Sequence, residues 1–313
     1  MALAGLLILA GCGGGGDAPS PAPLAAITKT NALTIASSVV TASLQGGNLG
    51  SFVGFASASS PKPERVYYAK VSEIQNAEIG ALVRQTRIGA VIPVGPEVTQ
   101  CTGGGTITLS GDIANPATLS PNDTITFEYA ACVEGDTTMN GRFSMRVTGF
   151  SGDPASGVFS FAVATTITSL QVTVAGETAT LNGSVSISIS AAATTTVTTT
   201  VSSSSITVGD GGADHTLRDY SSVHTLASGS FTLDVSGSLT SSDFAGMVSF
   251  DTTAVLQGMD DGYAFTGQLL ITGANGATIE VIVLDGTFVR LEVDSNGDGI
   301  VDATLDVTWD DLT

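Results

Sequence analysis

Hydrophobic and polar residues alternate with a period of two over most of the chain after Gly95. In the segment 180–190, apolar side chains share one face and Ser or Thr fills much of the other; the apolar residues are Leu181, Val185, Ile187 and Ile189. Such alternation is typical of a β-strand that is buried on one side. Later segments repeat the pattern with Phe231, Leu233 and Val235, with Ile279, Val281 and Val283, and with Val289, Leu291 and Val293.

Short turn sequences separate these predicted strands. They are Ala175-Gly176, Gly211-Gly212, Asp261-Gly262, Asn275-Gly276 and Asp285-Gly286. Because short connections join antiparallel neighbours, the pattern predicts a mainly β fold built as an antiparallel meander. Three architectures stay open for this meander: an open curved sheet, a sandwich or a soluble barrel. The Thr- and Ser-rich stretch 191–205 is predicted to be a polar strand pair, with an exposed adhesive or glycosylated surface as the alternative.

The segment before residue 96 has a helical pattern in places. Asn31 is a good N-cap residue, and Gly46-Gly47 is predicted to end the helix that follows it. The predicted apolar face of this helix consists of Leu33, Ala36, Val40 and Leu44. A second helix is predicted over about 66–88 from a looser apolar periodicity. We therefore expect one or two helices ahead of the β-rich part of the chain.

The chain starts with an apolar stretch that ends at a cysteine. Residues 2–11 are too few to span a bilayer as a helix, which needs about 20 residues, and they are typical of an export signal. The residues Leu9-Ala10-Gly11-Cys12 resemble the lipobox of bacterial lipoproteins, in which cleavage precedes a cysteine that becomes acylated. The resemblance covers only this beginning of the chain. It implies that Cys12 is the mature, lipidated N-terminus, bearing fatty acids such as palmitate, and that Gly13 directs the protein to the outer membrane.

These patterns divide the chain into four parts. We predict a lipoprotein signal segment at 1–11, a flexible Gly- and Pro-rich linker at 12–26, a helical N-terminal segment at 27–95 and an antiparallel β domain at 96–313.

The charge balance excludes one class of function. The chain has 29 acidic and 10 basic residues, a net charge of -19, and six of the ten basic residues precede residue 90. The long C-terminal part therefore carries an acidic field that repels phosphate backbones. We expect no binding to nucleic acid.

Two cysteines beyond the signal segment are predicted to form a disulfide, because an exported protein meets an oxidising environment. The alternating segments 106–109 and 124–127 lie between Cys101 and Cys132. If the two cysteines face each other across an antiparallel hairpin, Leu109 lies opposite Thr124. The same register places Thr106 opposite Phe127.

The sharpest local motif is Asp294-Ser295-Asn296-Gly297-Asp298-Gly299-Ile300-Val301-Asp302, which is similar to the calcium loop of EF-hands. Calcium prefers six to eight oxygen ligands. The candidate ligands are the side chains of Asp294, Asn296, Asp298 and Asp302 and the carbonyl of Ile300. Leu305 replaces the bidentate Glu expected at position twelve, so any site would be weak. The alternative is an Asx- and Gly-rich loop that only turns the chain.

Signals for catalysis are few. The chain has two histidines, His215 and His224, with Asp214 and Asp219 near them in sequence, and no recognisable catalytic or phosphate-binding motif. We expect a protein that is not an enzyme and requires no cofactor.

The prediction for function is a membrane-anchored bacterial envelope lipoprotein that acts as a structural or interaction module. Its partners would be the membrane, through the lipid anchor, and another envelope protein. The alternative is a periplasmic carrier that binds a lipid or another hydrophobic ligand in a cavity of the curved sheet.

Overall fold

The computed structural model describes residues 22–49, 92–114, 120–153, 156–193, 196–209, 212–259 and 262–313. The predicted signal segment, Cys12, most of the linker and the second predicted helix lie outside the described residues. Within them, helix α1 (Ala32–Asn48) precedes fourteen β-strands, and the short helix α2 (Trp309–Leu312) ends the chain.

The fourteen strands form one sheet in which every strand pairs with its neighbours in sequence and all pairs are antiparallel. The strands are β1 Ile92–Gln100, β2 Thr106–Ile113, β3 Thr124–Glu134, β4 Thr137–Asp153, β5 Val158–Val174, β6 Glu177–Ala193, β7 Thr196–Gly209, β8 Asp214–Ala227, β9 Ser230–Ser241, β10 Phe244–Met259, β11 Ala264–Thr272, β12 Thr278–Val283, β13 Phe288–Asp294 and β14 Ala303–Thr308.

The predicted antiparallel meander is confirmed, and of the three architectures left open by the sequence the structure has the open sheet. The four apolar residues predicted to share one face of β6 are all buried, as are those of β12 and β13. Leu233 of β9 is the exception, because it is half-buried. The Thr- and Ser-rich stretch 191–205 contributes to β6 and β7, as expected for a polar strand pair.

Successive turns alternate between two ends of the sheet because each strand reverses the chain direction. One end, which we call the entry end, holds the β9–β10, β11–β12 and β13–β14 connections. Leu24 forms a bridge with Met247 at the start of β10, so the described chain begins at this end. The far end holds the β10–β11 and β12–β13 connections and helix α2.

Helix α1 lies within the curve of the sheet and is enclosed by it. It contacts β7, β8, β9, β10, β12, β13 and α2. Six strand spacings separate β7 from β13, or about 29 Å, whereas a helix is about 10–12 Å wide, so the sheet must curl around the helix to contact it with both strands. Thr34 is the only exposed residue among positions 32–47. The sequence predicts one apolar face for this helix, whereas the helix is buried on nearly all sides.

The predicted helix stop at Gly46-Gly47 is wrong, because α1 continues through both glycines to Asn48. Gly46 instead allows close packing against β8: a Cβ at this position would lie 2.8 Å from Cζ of Tyr220. Asn31 does precede the helix, but its side chain makes no capping bond to it. Its Oδ1 accepts the backbone N–H of Thr28 at 2.8 Å and so fixes the chain that leads into α1. No helix of the described residues is both long and apolar enough to cross a membrane.

Cys101 and Cys132 lie at disulfide distance, with their sulfur atoms 2.08 Å apart. The hairpin register predicted from them is wrong by three residues, since Leu109 pairs with Phe127 and Thr106 pairs with Ala130. Cys101 belongs to the β1–β2 turn, where its N–H donates to the Gly105 carbonyl, and does not face Cys132 along a ladder. A bulge between Tyr129 and Cys132 adds a further irregularity in β3.

Three of the bulges in the long strands lie at a residue other than glycine in the left-handed region: Ala131, Ser169 and Asp219. The first two share a local design. Asn140 Oδ1 accepts the N–H of Ala131 at 2.8 Å, and Asn182 Oδ1 accepts the N–H of Ser169 at 3.1 Å. Each Asn is followed by a glycine with positive φ. The Asn side chain thus satisfies an N–H that the bulge removes from the ladder.

Candidate functional site

A buried hydrogen bond joins α1 to β8. Tyr220 of β8 is 1% exposed, and its hydroxyl donates a 2.8 Å hydrogen bond to the carbonyl of Ser43 in α1. Burial raises the pKa of Tyr220, and the neighbouring Ser222 offsets part of this rise, although its Oγ lacks a partner in hydrogen-bond geometry. A phenol held neutral in this way fastens the helix to the sheet.

Two further polar contacts fix α1 at other points. Ser38 Oγ donates to the Asp243 carboxylate at 3.0 Å, next to the β9–β10 turn. Thr41 Oγ1 donates to the Leu312 carbonyl at 3.4 Å in α2. These bonds hold the helix against both ends of the sheet. The inner face of the curved sheet is consequently occupied by the protein's own helix between β7 and β13.

A cavity of about 450 Å³ that is wide open to solvent crosses β5, β6, β7 and β8. Its lining consists mainly of small residues such as Thr166, Ser184 and Ser202, together with Asp219 and Tyr220. Ligand sites of this size are usually lined by apolar and aromatic side chains with a few polar groups. The hydroxyl-rich lining of this cavity fits a small polar molecule better than a lipid.

The outer face of β6, β7 and β8 carries rows of small side chains. Ser186, Ser188 and Ser190 of β6 pair with Ser202, Thr200 and Thr198 of β7. The last row continues into β8, where the Thr225 and Thr198 hydroxyls lie 3.0 Å apart. Cross-strand hydroxyl pairs of this kind stabilise a sheet modestly and leave an uncharged, hydroxyl-rich strip exposed.

The Asp294–Asp302 loop joins β13 to β14 and is a network of Asx turns. Asp294 Oδ1 accepts the N–H of Gly297 and Asp294 Oδ2 accepts the N–H of Gly299, both at 2.7 Å. Asn296 Oδ1 accepts the N–H of Asp298 at 2.8 Å, and Asp298 Oδ1 accepts the N–H of Ile300 at 2.9 Å. These bonds turn the candidate ligands of the loop toward its own backbone.

Hydrogen bonding within the loop also changes its acidity. Burial would raise the pKa of Asp294, but the N–H groups of Gly299, Gly297, Asn296 and Asp298 outweigh it, and the net pKa is lowered. The pKa of Asp302 is lowered mainly by the Ser295 side chain and backbone, which both donate to its carboxylate. Both groups are therefore held as carboxylates, the form that a cation requires.

The candidate calcium ligands are only partly brought together. Among the described residues, only Cys101, Cys132 and Glu134 bring three potential metal-ligand atoms of His, Cys, Asp or Glu within 4.8 Å of one another. The carboxylates of this loop do not converge in this way. Asp294, Asn296 and Asp298 lie on one turn, whereas position twelve of the motif, Leu305, belongs to β14 and pairs with Leu291. Calcium binding by Asp294, Asn296, Asp298, Ile300 and Asp302 stays a prediction.

The cluster at Cys101 and Cys132 is structural in character. The two sulfur atoms are bonded to each other and are not free to bind a metal. Glu134 accepts hydrogen bonds from the Thr102 backbone N–H at 2.9 Å and from the Thr102 hydroxyl at 2.7 Å. The carboxylate and the disulfide together hold the β1–β2 turn against the end of β3.

The two histidines lie on the same strand, far from each other. His215 and His224 are nine residues apart in β8, or about 31 Å at 3.4 Å per residue. His215 is buried, and the ring of His224 lies 5.7 Å from that of Phe231. The strand therefore does not combine them in one site.

Several structurally important residues gave no usable signal in the sequence. Tyr220 lies in an ordinary polar strand, and its contact with Gly46 joins distant parts of the chain. The Asn140-Gly141 and Asn182-Gly183 pairs are turn signals in most proteins, but here they lie inside strands at the bulges. Comparisons with protein-family models, curated proteins and solved structures found no match to this chain.

Proposed function

We propose that this protein is a lipid-anchored component of a bacterial cell envelope that acts as an interaction module and not as an enzyme. In this proposal Cys12 carries the lipid, the outer membrane is the anchoring surface, and the β sheet presents a binding face to another envelope protein. The support for the anchor is the lipobox resemblance at Leu9-Ala10-Gly11-Cys12.

The observation that carries the choice of an interaction module is the enclosure of α1. A carrier for a lipid needs an apolar cavity of several hundred Å³. The inner apolar face of the β7–β13 part of the sheet packs instead against α1, whose Ile35, Val39 and Ala42 are fully buried. Binding through an outer surface is therefore better supported than binding inside the sheet.

The outer face of β6–β8 is the surface that we favour for this contact. Its small Ser and Thr side chains have little conformational entropy to lose, so a partner could approach the sheet closely. Ser188 lies near the centre of the strip and is exposed.

The lipid anchor is tested by mass spectrometry of the protein purified from membranes. We expect a mature chain that begins at Cys12 and carries diacylglyceryl and acyl groups, and we expect Cys12→Ser to move the protein out of the membrane fraction. An unmodified Cys12, or a mature N-terminus elsewhere, contradicts the anchor.

The interaction module is tested by crosslinking in cells. A photo-crosslinking amino acid at Ser188 should capture a discrete envelope protein. The matched control is the same amino acid at Asp251, an exposed position on β10. Equal capture from both positions, or none from Ser188, contradicts the proposed face.

A carrier is the second candidate, and the cavity across β5–β8 is the observation that favours it. Its polar lining fits a small hydroxylated or charged molecule. Native mass spectrometry of the detergent-released protein distinguishes the two functions, because a carrier should retain a stoichiometric ligand and an interaction module should not.

A further inference from the structure

We propose that the entry end of the sheet rests on the phospholipid bilayer through Leu24, Ile300 and Val301, so that the far end projects away from the membrane. This inference rests on the proposed lipid anchor at Cys12. It adds an orientation and a second contact with the membrane to that proposal.

The entry end exposes large apolar side chains close to where the described chain begins. Ile300 is 68% exposed, the highest value for any large apolar residue described, and Val301 and Leu24 are 48% and 49% exposed. Apolar side chains displayed at one end of a soluble body are typical of an interaction surface.

These side chains belong to one continuous structure. Ala25, next to Leu24, accepts the N–H of Ala274 in the β11–β12 turn at 2.7 Å. The Asp294–Asp302 loop packs on the same turn, because a Cβ at Gly297 would lie 2.3 Å from the Asn275 carbonyl oxygen. Lys29 also lies close enough to Asp302 to help lower its pKa.

The charges of the loop do not prevent contact with a bilayer. Of the three acids in the loop, Asp294 is 7% exposed and is bonded to the backbone, Asp302 is half-buried and bonded to Ser295, and only Asp298 is exposed. The loop therefore turns much of its negative charge inward, while Ile300 and Val301 remain exposed. Their apolar atoms can enter the boundary between headgroups and acyl chains.

The length of the chain before Leu24 selects the entry end. Twelve residue steps separate Cys12 from Leu24 and span at most about 43 Å even when fully extended. Met259, at the far end of β10, is twelve residue steps beyond Met247, or about 41 Å along the strand. The far end could reach the membrane only with this tether stretched to its limit along the sheet.

The far end of the sheet also exposes apolar residues. Met259 is 53% exposed and Phe288 is 48% exposed. Exposure alone does not distinguish the two ends, whereas the tether does. We assign the entry end to the membrane for this reason.

The experiment is a comparison of fluorescent labels on the lipidated protein in phosphatidylethanolamine and phosphatidylglycerol vesicles. Single variants Ile300→Cys and Val301→Cys place an environment-sensitive dye at the entry end, and Met259→Cys and Phe288→Cys are the matched far-end controls. Because all four positions are exposed, the variants should keep the fold, which circular dichroism checks. Labelling of the parent protein sets the background from its native cysteines.

We expect a quencher attached to the lipid chains to reduce emission several-fold more at positions 300 and 301 than at 259 and 288, and aqueous iodide to show the reverse order. Equal lipid quenching at both ends indicates a body that lies flat or tumbles, and stronger quenching at the far end reverses the orientation; both overturn the inference. If the protein fails to associate with vesicles at all, the proposed anchor itself is contradicted.

Discussion

The Tyr220 hydroxyl donates a hydrogen bond to the Ser43 carbonyl across 177 residues of sequence and thereby joins β8 to α1. The tyrosine ring occupies the space beside Gly46, where a Cβ would lie 2.8 Å from Cζ. One side chain therefore makes both the polar and the steric contact between the helix and the sheet. The absence of a side chain at Gly46 is a condition of this contact.

We expect Gly46→Ala to lower the free energy of unfolding by about 1–3 kcal/mol, because the added methyl group overpacks a buried contact. Gly47→Ala is the matched control, since a Cβ there would meet only ordinary contacts, 3.4 Å from Ser222 Oγ. Alanine at position 47 should instead stabilise the helix by about 0.5–1 kcal/mol. Urea unfolding followed by circular dichroism measures both variants, and equal effects would contradict this account.

The helix shows which parts of the fold the sequence could predict. The existence of α1 was predictable from the local apolar period, which is present in a short window of sequence, whereas the Asn31 side chain makes no capping bond. The C-terminal end of α1 could not be predicted from the sequence, because Gly46-Gly47 is typical of a helix end. These glycines are kept helical by packing against Tyr220 and Leu217. Both residues lie far away in sequence, so the residues around Gly46 do not indicate this contact.

The bulge at Ser169 provides a second prediction. Ser169 has φ 47°, which costs a residue with a Cβ about 1–2 kcal/mol, so Ser169→Gly should be neutral or stabilising by up to about 1 kcal/mol. Gly141→Ala should destabilise by about 2–4 kcal/mol, because its Cβ would lie 2.3 Å from the Ser169 carbonyl oxygen at φ 104°. Gly176→Ala is the control for the positive φ alone, since Gly176 has φ 91° and a Cβ there meets nothing within 4 Å. Thermal unfolding should rank Gly141→Ala as the most damaging; a larger loss at position 176 would refute this.

The disulfide illustrates why register could not be predicted. A disulfide between Cys101 and Cys132 fixes only the distance between these two residues. A regular hairpin in which they face each other would place Leu109 opposite Thr124. The actual pairing with Phe127 depends on the tight turn after Cys101 and on the bulge near Ala131, whose Asn140 partner belongs to the next strand. The strand faces were predictable because burial repeats at every second residue, whereas irregularities depend on single backbone conformations.

We expect the Cys101–Cys132 bond to stabilise the protein by roughly 3–4 kcal/mol, because it closes a loop with a sequence separation of 31. Urea unfolding with and without a reductant measures this difference. The double variant Cys101→Ala/Cys132→Ala should match the reduced protein and should not respond to the reductant. An unchanged midpoint on reduction, with free thiols confirmed by titration, would contradict the prediction.

The Asp294–Asp302 loop should make stability depend on acid. The pKa of Asp294 is lowered in the folded protein from its ordinary value of 3.8, so its contribution is present above that value and is lost as pH falls through the lowered pKa. Thermal unfolding from about pH 5 to about pH 2 should show a steeper loss for the parent than for Asp294→Asn. Asp251→Asn, at an exposed position of β10, is the control for the loss of one carboxylate. Parallel curves for Asp294→Asn and the parent would exclude this role.

Calcium binding by the same loop is the last prediction. We expect a dissociation constant of about 10⁻⁴–10⁻³ M, because few charged ligands converge and no bidentate Glu is present. Calcium should raise the unfolding temperature at millimolar concentration, and magnesium at the same concentration is the control for screening of the net charge of -19. Asp298→Asn/Asp302→Asn should abolish the calcium-specific part of the shift and the calorimetric heat of binding.

A variant at position twelve tests how far the likeness to EF-hands extends. In an EF-hand, a Glu there would tighten binding, but Leu305 lies on β14, half-buried against the core and opposite Leu291. A carboxylate at this position would be forced toward apolar neighbours and could not turn back to the loop. Leu305→Glu should therefore lower the unfolding temperature without tightening calcium binding. Tighter binding in that variant would mean that the loop can rearrange to the EF-hand geometry.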